Sequence, residues 1–101
     1  MKRVVVTGMS GITSLGETAD EIFAQFQASK NGIRTMPDWE IYTDLRCKIA
    51  GPVEHFEVPK HFNRKVTRGM GRVALMSVIC AEKALADAGL IDHPILKSGD
   101  A

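Results

Sequence analysis

Several things are scarce in this chain of 101 residues. It has two cysteines, one tryptophan and one tyrosine. No apolar run comes near the ~18–20 residues that a membrane-spanning helix needs, which excludes such a span from the sequence. The opening residues lack the uncharged helical stretch and small-residue cleavage site of a secretory leader, so a cytoplasmic protein is expected. Cys47 and Cys80 have no CxxC neighbour, and two reduced, buried thiols are the expectation. His55, His61 and His93 show no ligand spacing with one another or with the cysteines, so no metal site is read. No Ser/His/Asp or Cys/His arrangement can be built. Net charge is only +1, which leaves no whole-molecule field to draw in nucleic acid or membrane. One further absence is local. From Val58 to Ala81 there is no acidic residue, while Lys60, Arg64, Lys65, Arg68 and Arg72 all fall in that stretch.

What is present reads as a globular α/β protein. Hydrophobic residues make up 45% and charged residues 25%, the ordinary balance of a soluble globular protein. Val4-Val5-Val6 is a β-branched run of the kind found in strands buried on both faces, usually parallel ones. A glycine-punctuated loop from Gly8 to Gly16 follows. Thr18-Ala19-Asp20-Glu21 is a capping box, and the helix it starts should bury Ala19, Ile22, Phe23 and Phe26, with Asn31-Gly32 as its stop. Arg34 to Leu45 shows no period and reads as irregular, with Trp39 and Tyr42 anchoring it. Cys47 to Val53 reads as a second strand ended by Gly51-Pro52.

Asn63 can cap a long helix that runs to Ala88, with Gly89 just beyond its end. Met70, Val73, Ala74, Ser77, Cys80, Ala81, Ala84, Leu85 and Ala88 form a stripe of mostly small residues. Leu75, Met76, Val78 and Ile79 cover the rest of the circumference, and Val73 to Ala81 carries no charge. A helix apolar all round must be buried all round. Two strands and one other helix cannot enclose it, so partner elements from more of the chain or from another subunit are expected.

Two motifs invite a binding reading. The Gly8–Gly16 loop fails both phosphate tests: Gly8, Gly11 and Gly16 do not follow GxGxxG, and Glu17 stands where a phosphate loop needs lysine. A carboxylate there repels phosphate, and the glycines read instead as tight turns under a crowded helix. The basic cluster is more promising. Arg64, Arg68 and Arg72 follow i, i+4, i+8 and would line one helix face, with Lys65 about 100° round from Arg64. Such a patch is either a solvated charged face or a dock for an acidic protein. Nucleic acid fits less well, because no stacking aromatics are interleaved.

Five stretches in order resemble the N-terminal end of the β-ketoacyl-acyl-carrier-protein synthases of the type II elongating class. They are RVVVTGMSGITSLG at Arg3–Gly16, KNGI at Lys30–Ile33, KIAGPVEHF at Lys48–Phe56, RKVTRGMGR at Arg64–Arg72 and ALADAGL at Ala84–Leu90. The resemblance covers nearly the whole chain and about a quarter of a full-length member. It implies the N-terminal part of a thiolase-like αβαβα layered fold, incomplete in this chain, with residues 1–101 a fragment of the first half-domain. In that fold the third helix of the first half lies between two sheets.

The resemblance also implies a function. The full-length enzyme would transfer an acyl group from acyl carrier protein to a cysteine and condense it with decarboxylated malonyl-carrier protein, in fatty-acid or related polyene biosynthesis. The catalytic cysteine and two histidines of the family lie beyond this chain, and Cys47, Cys80 and the three histidines match none of them, so the fragment alone is expected to be inactive. No cofactor of its own is implied, since phosphopantetheine arrives on the carrier. The full-length enzyme would be a homodimer. The family's carrier-docking role falls on Lys65 and Arg68, to which helical spacing adds Arg64 and Arg72. The family often has a further basic residue where this chain has Gly69. Two alternatives stand beside this reading: a non-catalytic partner subunit resembling a chain-length factor, and a small carrier-binding or nucleotide-binding module.

Overall fold

The computed structural model describes residues 1–99. It divides into two compact units. One comprises residues 12–56, and the other joins residues 1–11 to the segment from residue 57 onward.

The first unit begins with a tight turn. Thr13 and Gly16 exchange backbone hydrogen bonds of 3.0 and 3.3 Å, and the Thr13 hydroxyl accepts from the Leu15 N–H. Helix α1 (Ala19–Gln27) then starts on the capping box expected of Thr18 and Glu21. The Thr18 Oγ1 accepts from the Glu21 N–H at 3.2 Å, and a Glu21 carboxylate oxygen accepts from the N–H groups of Glu17 and Thr18. The sequence predicts the stop at Asn31-Gly32. The helix ends sooner, in a Schellman turn: Lys30 N–H bonds to Gln25 C=O, Ser29 N–H bonds to Phe26 C=O, and Ser29 itself takes φ 54°. Asn31 instead shapes the following turn, its side chain accepting from the Ile33 N–H at 2.9 Å. Of the four residues expected to be buried on α1, only Ile22 is half-buried; Phe23 and Phe26 remain exposed.

A two-stranded antiparallel sheet completes this unit. Strand β1 (Arg34–Thr35) pairs with β2 (Ile49–Ala50), Arg34 opposite Ala50 and Thr35 opposite Ile49. Strand β2 is much shorter than the Cys47–Val53 run suggested. Strand β1 and a 3-10 turn at Pro37–Ile41 occupy a stretch read as irregular. Ion pairs from Arg34 to Glu54 and from Lys48 to Glu40 flank the sheet. Trp39 is half-buried, whereas Tyr42 is exposed.

The second unit is built on helices α2 (Arg64–Thr67) and α3 (Arg72–Ala88), followed by a 3-10 turn at Pro94–Lys97. Sequence predicted one helix from Asn63 to Ala88. The Asn63 cap and the Gly89 stop are both found, Gly89 at φ 69°, but the helix breaks between Arg68 and Gly71. Gly71 has ψ 173° and serves as the N-cap of α3 without a capping side chain. Glycine at positions 69 and 71 makes helix continuation poor by about 1 kcal/mol per residue relative to alanine, and the chain takes a fresh start instead.

The Val4–Val6 run is not a strand. No described backbone pairs with it, and Val4 and Val6 are 96% and 80% exposed. A strand exists only through a ladder partner, and β-branched composition does not supply one. Of the loop glycines expected under a crowded helix, Gly8 does lie against α3, Gly16 lies against Glu21 of α1, and a Cβ at Gly11 would meet nothing within 4 Å. The Met9 N–H donates to Asp87 Oδ2 at 3.0 Å. Among the described residues Ile79 alone is fully buried, while Val73 on the same helix is 79% exposed. Helix α3 therefore presents apolar surface that the described residues do not cover.

Candidate functional site

The acid-free stretch is organised by backbone caps. Phe62 N–H bonds to Pro59 C=O, which turns the chain into the Asn63 cap. The Asn63 Oδ1 accepts from Val66 N–H at 3.1 Å, and its C=O accepts from Thr67 N–H and from the Thr67 hydroxyl. Arg68 caps the turn with its N–H on Arg64 C=O at 2.9 Å and retains helical backbone angles. Arg64 and Arg68 thus keep the one-turn relation that their spacing suggested. Arg72 does not join them, because Met70 and the extended Gly71 intervene and Arg72 opens a separate helix. The i, i+4, i+8 face is corrected to a pair plus Lys65 on α2, with Arg72 on α3.

All four basic side chains are exposed. Arg64, Lys65 and Arg68 form no ion pair among the described residues. A cation left in water without an intramolecular partner keeps its charge available to an approaching molecule, and the sequence from Val58 to Ala81 contains no acid beside Arg64, Lys65 and Arg68.

One contact beside this segment has no sequence signal. His61 Nε2 lies 2.8 Å from Glu82 Oε2 and 2.6 Å from Glu82 Oε1, and the two residues are 21 positions apart. The imidazole also leans on the Phe62 ring, centroids 4.6 Å apart at 36°. No helical or strand period links position 61 to position 82, so the sequence alone carries no sign of the pair. Glu82 also borders a shallow groove lined by Val78, Leu85, Ile91, His93 and Leu96. The His93 Nδ1 accepts from the Ile95 N–H at 3.2 Å and caps the 3-10 turn that forms one wall.

The remaining candidates are separate from one another. Cys47, expected buried, is exposed, with its thiol directed to Ile49 C=O at 3.7 Å; Cys80 is half-buried. No described hydrogen bond joins either cysteine to a histidine. No group of three or more His, Cys, Asp or Glu side chains suited to a metal ion occurs among the described residues. In the glycine loop, the Glu17 and Thr18 N–H groups that a phosphate would want are already held by the Glu21 carboxylate.

Comparison with known proteins gives one family throughout. The model described as "Beta-ketoacyl synthase, N-terminal domain" matches residues 1–99. A 3-oxoacyl-[acyl-carrier-protein] synthase 1 of Haemophilus influenzae is 33% identical over 95 residues, 94% of this chain and 23% of the relative. A 3-oxoacyl-[acyl-carrier-protein] synthase 2 of Synechocystis is 31% identical over 90 residues, 89% of this chain and 21% of the relative. The crystal structure of a β-ketoacyl synthase from Burkholderia phymatum superposes with a TM-score of 0.81 at 49% identity, covering 88% of this chain and 22% of that one. The chain therefore spans less than a quarter of the length of these relatives.

Proposed function

The chain belongs to the β-ketoacyl synthase family, and from that premise we propose that the protein carrying it is a condensing enzyme that extends acyl chains held on acyl carrier protein. Its fold is the N-terminal portion of the thiolase-like arrangement. In the proposed reaction the acyl group passes from the carrier's thioester to an enzyme cysteine thiol, and the carrier thiol is released. Malonyl-carrier protein then loses carbon dioxide. The electron pair of the broken C–C bond attacks the enzyme-bound acyl carbon, and the cysteine thiolate leaves. We assign none of these catalytic groups to Cys47, Cys80 or the three histidines, so residues 1–101 alone would not condense. The parent would act as a cytoplasmic homodimer in fatty-acid or related polyene synthesis. It would need no cofactor of its own, because the phosphopantetheine arm comes with the carrier.

The observation that supports a role for this part of the protein is the acid-free stretch in which Arg64, Lys65 and Arg68 are exposed and unpaired among the described residues. Lys65 and Arg68 would meet acidic side chains of the carrier, with Arg64 and Arg72 adding longer-range attraction. Exposed charges of this kind act on association rate and are screened by salt.

The test is the double variant Lys65→Glu with Arg68→Glu in the full-length protein. Carrier association should slow roughly tenfold or more at low ionic strength, and the difference should shrink in high salt. Turnover of a carrier-borne substrate should fall further than turnover of a short acyl-thioester without carrier. Equal losses on both substrates would show that these residues are structural and would overturn the docking assignment.

A further inference from the structure

The basic segment has a loose end and a firm one. Its loose end is the joint to α3. Arg68, Gly69, Met70 and Gly71 separate the two helices, and a Cβ placed at Gly69 or Gly71 would meet nothing within 4 Å. The Met70 N–H bonds to the Thr67 C=O at 2.9 Å within the joint, but the glycines on either side of Met70 leave the backbone wide freedom. Helix α2 itself is four residues, too short to hold its own direction. Left to these elements, Arg64, Lys65 and Arg68 would point wherever the joint allowed.

The firm end is His61. It stands two residues before the Asn63 cap, and its Nε2 reaches both oxygens of Glu82, about three turns into α3. The contact closes the chain from position 61 to position 82 into a loop whose two ends are fixed. The tilted contact with the Phe62 ring also restricts the imidazole. Closing a loop removes conformations from everything inside it.

We propose that His61 and Glu82 are positioning residues, whose pairing clips the basic turn onto α3 and holds Arg64, Lys65 and Arg68 in one presentation toward an acidic partner protein. The identity of that partner rests on the carrier-docking reading above; the clip does not. Neither residue touches the partner. Their contribution is to reduce the freedom that the basic side chains lose on binding, which is a known source of affinity.

The experiment uses the full-length protein and two readouts. The first is hydrogen exchange at the amides of Val66, Thr67, Arg68 and Met70, whose acceptors are Asn63, Arg64 and Thr67. Glu82→Ala should speed exchange there by roughly two- to fivefold, the size expected of a pair that is 60% and 37% exposed, and should leave the amides around Ile79 unchanged. His61→Ala should do the same, and the double variant should add nothing, since both remove one interaction. Glu82→Gln, which keeps a hydrogen-bonding oxygen, should give an intermediate rate. The second readout is association with acyl carrier protein, which Glu82→Ala should weaken by a similar factor and Glu82→Gln should partly restore. Exchange that is unchanged in all variants overturns the clip, whatever carrier association does. Faster exchange in the loop with unchanged carrier association supports the clip and overturns the carrier as the partner it serves.

Discussion

Gly8 lies so close to Ala88 that a Cβ at position 8 would stand 2.8 Å from the Ala88 Cβ and 2.7 Å from its backbone nitrogen. The segment before the first loop and the last turn of α3 therefore meet through a glycine. The Met9 N–H to Asp87 bond one residue on fixes the same approach.

Gly8→Ala should accordingly be destabilising. The atoms it would strike are backbone and a short methyl, neither of which can swing aside, and overpacking of this kind costs about 1–3 kcal/mol. Gly11→Ala is the control. Nothing lies within 4 Å of its Cβ, so its urea midpoint should remain near that of the parent. Denaturation curves of the two variants side by side provide the check.

Thr18→Ala should cost about 1 kcal/mol, because the Thr18 hydroxyl holds the Glu21 N–H and no other described group replaces it. Thr18→Ser should recover most of that loss. Glu21→Ala should cost a similar amount by a different route, releasing the Glu17 and Thr18 N–H groups. Thermal melts of the three variants would distinguish a capping effect, which serine rescues, from loss of the threonine methyl, which it does not.

Gly71→Ser should stabilise. Gly71 already has the extended backbone of an N-cap, its Cβ position is open, and α3 starts with no side-chain cap. A hydroxyl there can accept from the first turn, a gain of a few tenths of a kcal/mol over glycine. The expected readout is a higher melting temperature together with stronger helical circular dichroism. A decrease in both would mean that the joint between α2 and α3 needs the freedom of glycine.

A protein limited to these 101 residues should bind a hydrophobic dye and associate with itself. Val4, Val6 and Val73 are largely exposed, and apolar area left in water costs about 25 cal/mol per Å2. Light scattering and dye fluorescence over a concentration series would check this. A monodisperse monomer that melts sharply and binds no dye would contradict it.

Local motifs in this chain are legible in the sequence because their partners are three or four residues apart. Thr18 and Glu21 declare the start of α1, Asn63 the start of α2 and Gly89 the end of α3, and each was found in place. The basic character of Lys65, Arg68, Arg64 and Arg72 is equally a property of composition. The break at Gly69–Gly71 was also local, but the apolar period of the following residues suggested one continuous helix, and only the cap geometry at Gly71 shows that the helix starts twice.

The sequence by itself determined which segments are able to be helical, where α1 and α2 start, where α3 ends, and which stretch carries basic residues without acids. Those are matters of neighbouring side chains competing for the same few backbone groups. Tertiary structure alone decided that Arg34–Thr35 pairs with Ile49–Ala50, that Gly8 lies on Ala88, that His61 reaches Glu82, and that Val4–Val6 finds no ladder among the described residues. Each depends on chain segments distant in sequence arriving side by side, and neither periodicity nor propensity encodes which distant segment arrives.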